Sequence, residues 1–179
     1  RFDAALDAAS EKKGEQRLEK MVSGRYMGVL FDMALAELLG ATGRTYGFTS
    51  IDLSRMLEDV SEGAEATATI VASMMGVTIA AEDAVRVRGL ARAIVVRSVR
   101  LIAATFVGTL WQITGSGEMR PQHIAVDGSV YEKMPLVKEA MISALSELLG
   151  EDAAKVDTML ACGGSGLGAA LAAAMAERG

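Results

Sequence analysis

The last third of the chain alternates two short β-branched runs with two helical ones, and that order forces its strands to run parallel. Residues 123–126 (His-Ile-Ala-Val) are apolar and bounded by Pro121 on one side and Asp127 and Gly128 on the other, which predicts a buried strand. Residues 135–149 keep a helical period, residues 156–161 predict a second strand, and residues 168–177, nearly all alanine, predict a helix packed closely on a neighbour. Consecutive parallel strands need a crossover between them, and the intervening helix supplies it. Two strands are too few for a free-standing sheet, and a parallel pair wants cover on both faces. Either another chain or more of the same domain must therefore complete this one.

The first two-thirds reads as helix. Apolar residues recur at helical spacing over residues 2–39, interrupted by Ser23 and Gly24, and residues 40–47 form a glycine-rich connector. Residues 50–59 predict a short helix with polar caps, residues 65–75 another closed by Gly76, and residues 81–113 a long one rich in Ala, Val and Leu. The fold class expected is mixed α/β, predominantly helical, with two or three parallel strands, in a single unit spanning residues 1–179.

Composition narrows the partners. Eighteen basic residues against 23 acidic ones leave a net charge of −5, which argues against nucleic acid or an anionic membrane surface as partner. The longest strongly apolar run, residues 101–111, is short for a bilayer crossing. A single cysteine, Cys162, rules out an internal disulfide or a cysteine-cluster zinc site and suits a cytoplasmic location. Without a basic cluster beside it, Cys162 reads as a small buried or turn residue. His123, the only histidine, has no ligand at metal-site spacing and reads as a strand-start residue.

Chemistry concentrates at the strand-to-helix turns. Asp127, Gly128 and Ser129 follow the first strand, and Gly163, Gly164, Ser165, Gly166, Leu167 and Gly168 follow the second. Open amides at a helix start, with little side-chain bulk in the way, make an anion site, and the carboxyl ends of parallel strands are where α/β sheets bind ligands. The alternative is two tight turns that merely need positive φ. Gly164, Gly166 and Ala169 also fit the spacing of the dinucleotide fingerprint, but no acidic residue follows at about 20 positions, which disfavours a nicotinamide enzyme.

Two further segments are candidates. Ser50 and Ser54 stand four apart at a helix start and can point one way, although capping by Ser50 would also explain that serine. Glu19 precedes a glycine break, where a carboxylate could accept hydrogen bonds from sugar hydroxyls or simply stand exposed beside Lys20. Arg86, Arg88, Arg92, Arg97 and Arg100 along the long helix read as a solvated face, or as partners of acidic neighbours, rather than a phosphate track.

Taken in order, these segments resemble the C-terminal part of the hexokinase family, the ATP-dependent sugar kinases of the actin-like ATPase (ribonuclease H-like) superfold. The resemblance runs through Gln16-x-x-Glu19-Lys-Met-Val-Ser-Gly24-x-Tyr26-Met27-Gly28 and Phe48-x-Ser50-x-x-x-Ser54. It continues in Val126-Asp-Gly-Ser-Val-Tyr131-x-Lys133-x-Pro135 and Gly164-Ser-Gly-x-Gly-Ala-Ala-Leu171. It implies that Glu19 contacts the sugar and that Ser50 and Ser54 lie near the nucleotide phosphates and adenosine. Asp127, Gly128 and Ser129 would form the loop under the ATP phosphates, with Gly164, Ser165, Gly166 and Gly168 on the adenosine side. The implied reaction is phosphorylation of a hexose, glucose foremost, at its 6-hydroxyl, with ATP and Mg²⁺.

Several of the family's parts are not found in this sequence. These are its Asp-Leu-Gly-Gly-Thr phosphate hairpin, the small-domain aspartate that accepts the sugar proton, and the Asn-Thr-Glu strand with a second sugar glutamate. In place of the acidic residues common before the last glycine turn stand Ala161, Cys162 and Gly163. The expectation is a nucleotide-binding portion whose partner is the preceding half of the same protein, nearly inactive alone. A non-catalytic nucleotide- or sugar-sensing module is the alternative.

Overall fold

The computed structural model describes residues 1–161 and 163–176, apart from the side chain of Ser165. The expectations for Cys162 and for a last helix reaching residue 177 lie outside the described residues. The chain divides into two compact units, Arg1–Ile102 and Ala103–Gly179.

In the first unit the expected helical stretch is three helices, α1 (Phe2–Ala9), α2 (Arg17–Val22) and α3 (Gly24–Leu38). The break at Ser23 is the expected one. The break after α1 is new, and its cause is a charge pair. The Lys20 ammonium, 3% exposed, meets Asp7 Oδ1 at 2.7 Å and the carbonyl of Lys12, while the Gly14 amide donates to the same carboxylate. Lys20 and the Gly14 amide together hold the Asp7 carboxyl below the usual range. A buried ammonium needs such partners, so the intervening loop wraps round it.

Helix α4 (Ser50–Glu58) starts under a capping box: Thr49 Oγ1 accepts from the Asp52 amide while Asp52 Oδ2 accepts from the Thr49 amide. The cap is thus Thr49 rather than Ser50. Helix α5 (Glu65–Met75) ends as expected at Gly76, whose φ of +70° is the left-handed C-terminal turn.

The long helix α6 (Ala81–Thr114) belongs to the first unit up to Ile102. By length and composition it could cross a membrane, being longer than the apolar run first considered. Two of its arginines are nevertheless turned into the first unit. Arg88 donates to the carbonyls of Asp59 and Ser61 at 2.6 and 2.7 Å, and Arg97 meets Asp3 at 2.6 Å and also donates to the Met21 carbonyl. These are ties of a core helix, and they bear out the reading of arginines paired with acidic neighbours: Arg97 pairs with Asp3, Arg88 lies 3.8 Å from Asp59, and Arg86 pairs with Asp83 on the surface.

Arg88 also faces the buried Asp59. Burial pushes the Asp59 carboxyl up, but hydrogen bonds from the Ser61 hydroxyl, the Thr67 amide and hydroxyl and the Ser61 amide outweigh it and hold the pKa at about 2.

The second unit holds strands β1 (Gln122–Val126) and β2 (Val156–Leu160), paired parallel and in register from Gln122 opposite Val156 to Val126 opposite Leu160. Between them run α7 (Ser129–Lys133), α8 (Val137–Leu149) and a 3₁₀ turn (Gly150–Lys155), so the crossover begins earlier than the expected helix. Tyr131 of α7 is buried and donates to Thr158 Oγ1 at 2.8 Å, fastening the crossover to β2. Side chains alternate along both strands: Gln122, Ile124, Val126, Val156, Thr158 and Leu160 are partly covered, while His123, Ala125, Asp157 and Met159 are exposed. Helix α9 (Gly164–Ala176) was expected to pack closely, yet from Gly166 onward its residues are exposed within this chain.

Two outcomes follow. Gly28 on α3 lies so close to the chain before α4 that an added Cβ would sit 2.1 Å from the Phe48 carbonyl oxygen and 2.7 Å from Thr49 Cα. Backbone must move to admit it, so Gly28→Ala should destabilise the protein by about 1–3 kcal/mol in urea unfolding; unchanged stability would refute this packing. For Asp59, a depressed native pKa gives stability that is present above the ordinary aspartate range and lost as pH falls from about 4 toward 2, worth about 2 kcal/mol. Unfolding midpoints measured across that window should show an acid limb that Asp59→Asn flattens.

Candidate functional site

The register of β1 and β2 brings the two glycine turns to the same edge. Val126 pairs with Leu160, and the Ala161 amide donates to the Val126 carbonyl at 2.9 Å, so both strands end level. After β1, Gly128 takes φ +140°, a conformation open to glycine, and Ser129 starts α7. After β2, Gly163 takes φ +68° and α9 starts at once at Gly164. The turns touch: a Cβ on Gly164 would lie 3.2 Å from the Ala161 methyl and 3.9 Å from Asp127 Oδ2. A carboxylate, an open glycine and a helix start thus share one spot, with Asp127, Gly128 and Ser129 exposed.

Helix α9 begins four residues earlier than residue 168, so Gly166 and Gly168 are helical residues rather than loop residues. The left-handed Gly163 is the reason. It reverses the chain within one residue, and the Leu167 amide already bonds the Gly163 carbonyl at 3.1 Å. No atom lies within 4 Å of a Cβ built on Gly166 or Gly168, so neither glycine is required by packing among the described residues.

Ser50 and Ser54 lie on one face of the first turns of α4, both half-buried, with no hydrogen-bond partner for either hydroxyl among the described residues. Their support is elaborate. Phe48 is buried edge-on against Phe31, ring centroids 4.9 Å apart, and Gly28 admits the Phe48 backbone. Asp32, 3% exposed, accepts the amides of Tyr46 and Gly47 on Oδ2 at 3.2 and 2.8 Å. Its Oδ1 is buried without a partner among the described residues. Burial pushes the Asp32 carboxyl up, and the main chain of Gly47, Tyr46 and Phe48 offsets this only in part. Asp32 was not singled out from sequence. The available signal was an acid on the apolar face of α3, four residues after Gly28.

Glu19 stands in the first turn of α2 and is exposed, while its neighbour Lys20 turns inward. Four residues on, Ser23 Oγ is buried without a partner among the described residues. Glu19, Ser50 and Ser54 all belong to the first unit; Asp127, Gly128, Ser129, Gly164, Ser165, Gly166 and Gly168 belong to the second. His123 has a partner that linear spacing concealed. Its Nδ1 lies 2.5 Å from Asp157 Oδ1 across the strand pair, on the exposed face.

Comparison with known proteins bears on this arrangement. A family model described as hexokinase matches residues 1–175. Hexokinase-1 of rice (Oryza sativa subsp. japonica) is 36% identical over 97% of this chain, and hexokinase-1 of Saccharomyces cerevisiae is 33% identical over 99%. The chain spans 38% and 39% of those two relatives' lengths. A crystal structure of a hexokinase superposes with a TM-score of 0.74 at 26% identity, covering 89% of this chain and 37% of that one. The Schistosoma mansoni hexokinase complexed with glucose shares the fold at 22% identity, with a TM-score of 0.72 over 92% of this chain and 38% of its own. With two-thirds of its residues helical, a parallel strand pair ending in two adjoining glycine turns, and a family match over nearly its whole length, the chain belongs to the hexokinase family.

Proposed function

We propose that this chain is the nucleotide-binding portion of an ATP-dependent hexose kinase and contributes one sugar contact, Glu19. The observation that carries the reading is the adjoining pair of turns, with Asp127 Oδ2 beside Gly164 at the start of α9. Gly128 and Ser129 would face the phosphates, and the first-turn amides of α9, through Ser165 and Gly166, would receive negative charge from the nucleotide. Gly168 would leave room on the adenosine side. Ser50 and Ser54 would donate to phosphate or ribose oxygens.

One carboxylate plus substrate phosphates is an ordinary Mg²⁺ environment, and Asp127 fits that share. Bound there with ATP, the metal would neutralise charge on the transferred group. With Asp127 committed to the metal, the base that accepts the proton of the sugar hydroxyl would lie elsewhere. The remainder of a hexokinase, more than half the length of the relatives, would supply that base and the further phosphate loop. This chain's own share is positioning: packed helices of the first unit would hold the sugar contact, and the glycine turns of the second would hold the phosphates.

The test is hexose phosphorylation by the full-length protein. ATP-dependent conversion of glucose to its 6-phosphate is expected, and its absence for glucose, mannose and fructose alike would overturn the proposal. Glu19→Ala in that protein should raise the hexose KM about tenfold or more and lower kcat, with the ATP KM near its original value, because the lost contacts also orient the nucleophile. Unchanged hexose kinetics would remove Glu19 from the sugar site and leave the nucleotide assignments standing.

A further inference from the structure

We infer that Asp32 is a positioning residue for the nucleotide: its carboxylate holds the chain entering α4 and so sets where Ser50 and Ser54 stand. The inference rests on the reading of those serines as nucleotide contacts. Three observations converge on the segment from Tyr46 to Thr49. Asp32 Oδ2 takes two successive amides, Tyr46 and Gly47, from a residue more than a dozen positions earlier in the chain. Gly47 has φ +85°, a left-handed turn that glycine adopts freely, so the chain turns there, at one of the two amides that Asp32 receives. Phe48 then plunges into the core against Phe31, and the Gly28 backbone limits any sideways shift.

Thr49 and Ser50 follow directly, and the Thr49–Asp52 box starts the helix from that fixed point. Asp32 is therefore the polar half of a clamp whose apolar half is Phe31, one residue earlier on the same helix. Core packing alone would be satisfied by an apolar residue at position 32. The unpartnered Oδ1 shows that this carboxylate is kept at some cost, for the two amides it receives.

The experiment is steady-state kinetics of the full-length protein with three variants: Asp32→Leu, Asp32→Asn, and Ser50→Ala with Ser54→Ala together. Asp32→Leu keeps volume but removes the acceptor, and it should raise the ATP KM about tenfold while leaving the hexose KM within about twofold. Asp32→Asn keeps one oxygen for the two amides and should recover most of that loss. A raised ATP KM in the serine variant together with an unchanged one in Asp32→Leu overturns the inference and leaves the nucleotide site intact. An unchanged ATP KM in the serine variant overturns the reading of the serines, and the inference with it.

If Asp32→Leu does not fold, hydrogen exchange at the Tyr46 and Gly47 amides of Asp32→Asn decides. Faster exchange accompanied by a raised ATP KM supports the clamp. Faster exchange with an unchanged ATP KM overturns it.

Discussion

Parallel pairing of β1 with β2 is the constraint from which the second unit follows. Two strands that run the same way cannot be joined by a tight turn, so α7, α8 and a 3₁₀ turn must carry the chain back between them. The same pairing makes both strands end at one edge, and only for that reason do two turns more than 30 residues apart in sequence touch. Glycine at 128, 163 and 164 then does two jobs: it permits the positive φ values at 128 and 163, and at 164 it avoids a tight contact with the Ala161 methyl, 3.2 Å from where a Cβ would stand.

The first unit solves a different problem, that of placing short helical segments without a sheet to align them. Its solution is a set of polar anchors that bond to backbone: Lys20 on the Lys12 carbonyl, Asp32 Oδ2 on two amides, Asp59 on the amides of Thr67 and Ser61, and the half-buried Arg88 on two carbonyls. Each anchor sits where a loop must be held against a helix. Burying a charge is costly unless it is paired, so the anchors tolerate few alternative loop paths. This is how a helical scaffold can hold two serine hydroxyls in place without spending those hydroxyls on the fold itself.

The exposed surfaces have a common meaning. His123, Asp157 and Met159 on the open sheet face and Leu167, Leu171 and Met175 on α9 are uncovered in a family whose compared members are more than twice as long. A parallel pair with one bare face is not a stable free-standing arrangement. The family membership and the physics of the sheet therefore point the same way.

Much of this was determined by the sequence alone. Helical periodicity, the β-branched runs and the glycine clusters are local signals, so the strand–helix–strand order, the parallel pair, the Ser23 break and the Gly76 stop were all legible, as was the family. What only tertiary structure decided is non-local: that Lys20 turns inward to Asp7, that Thr49 rather than Ser50 caps α4, that α9 starts at Gly164, that His123 meets Asp157, and that Asp32 grips the amides before Ser50. A residue's period says which face of a helix it occupies, but not which distant backbone will arrive there to be held. For Asp32 and Gly28 that arriving backbone is the loop before α4, and it gives both residues their roles.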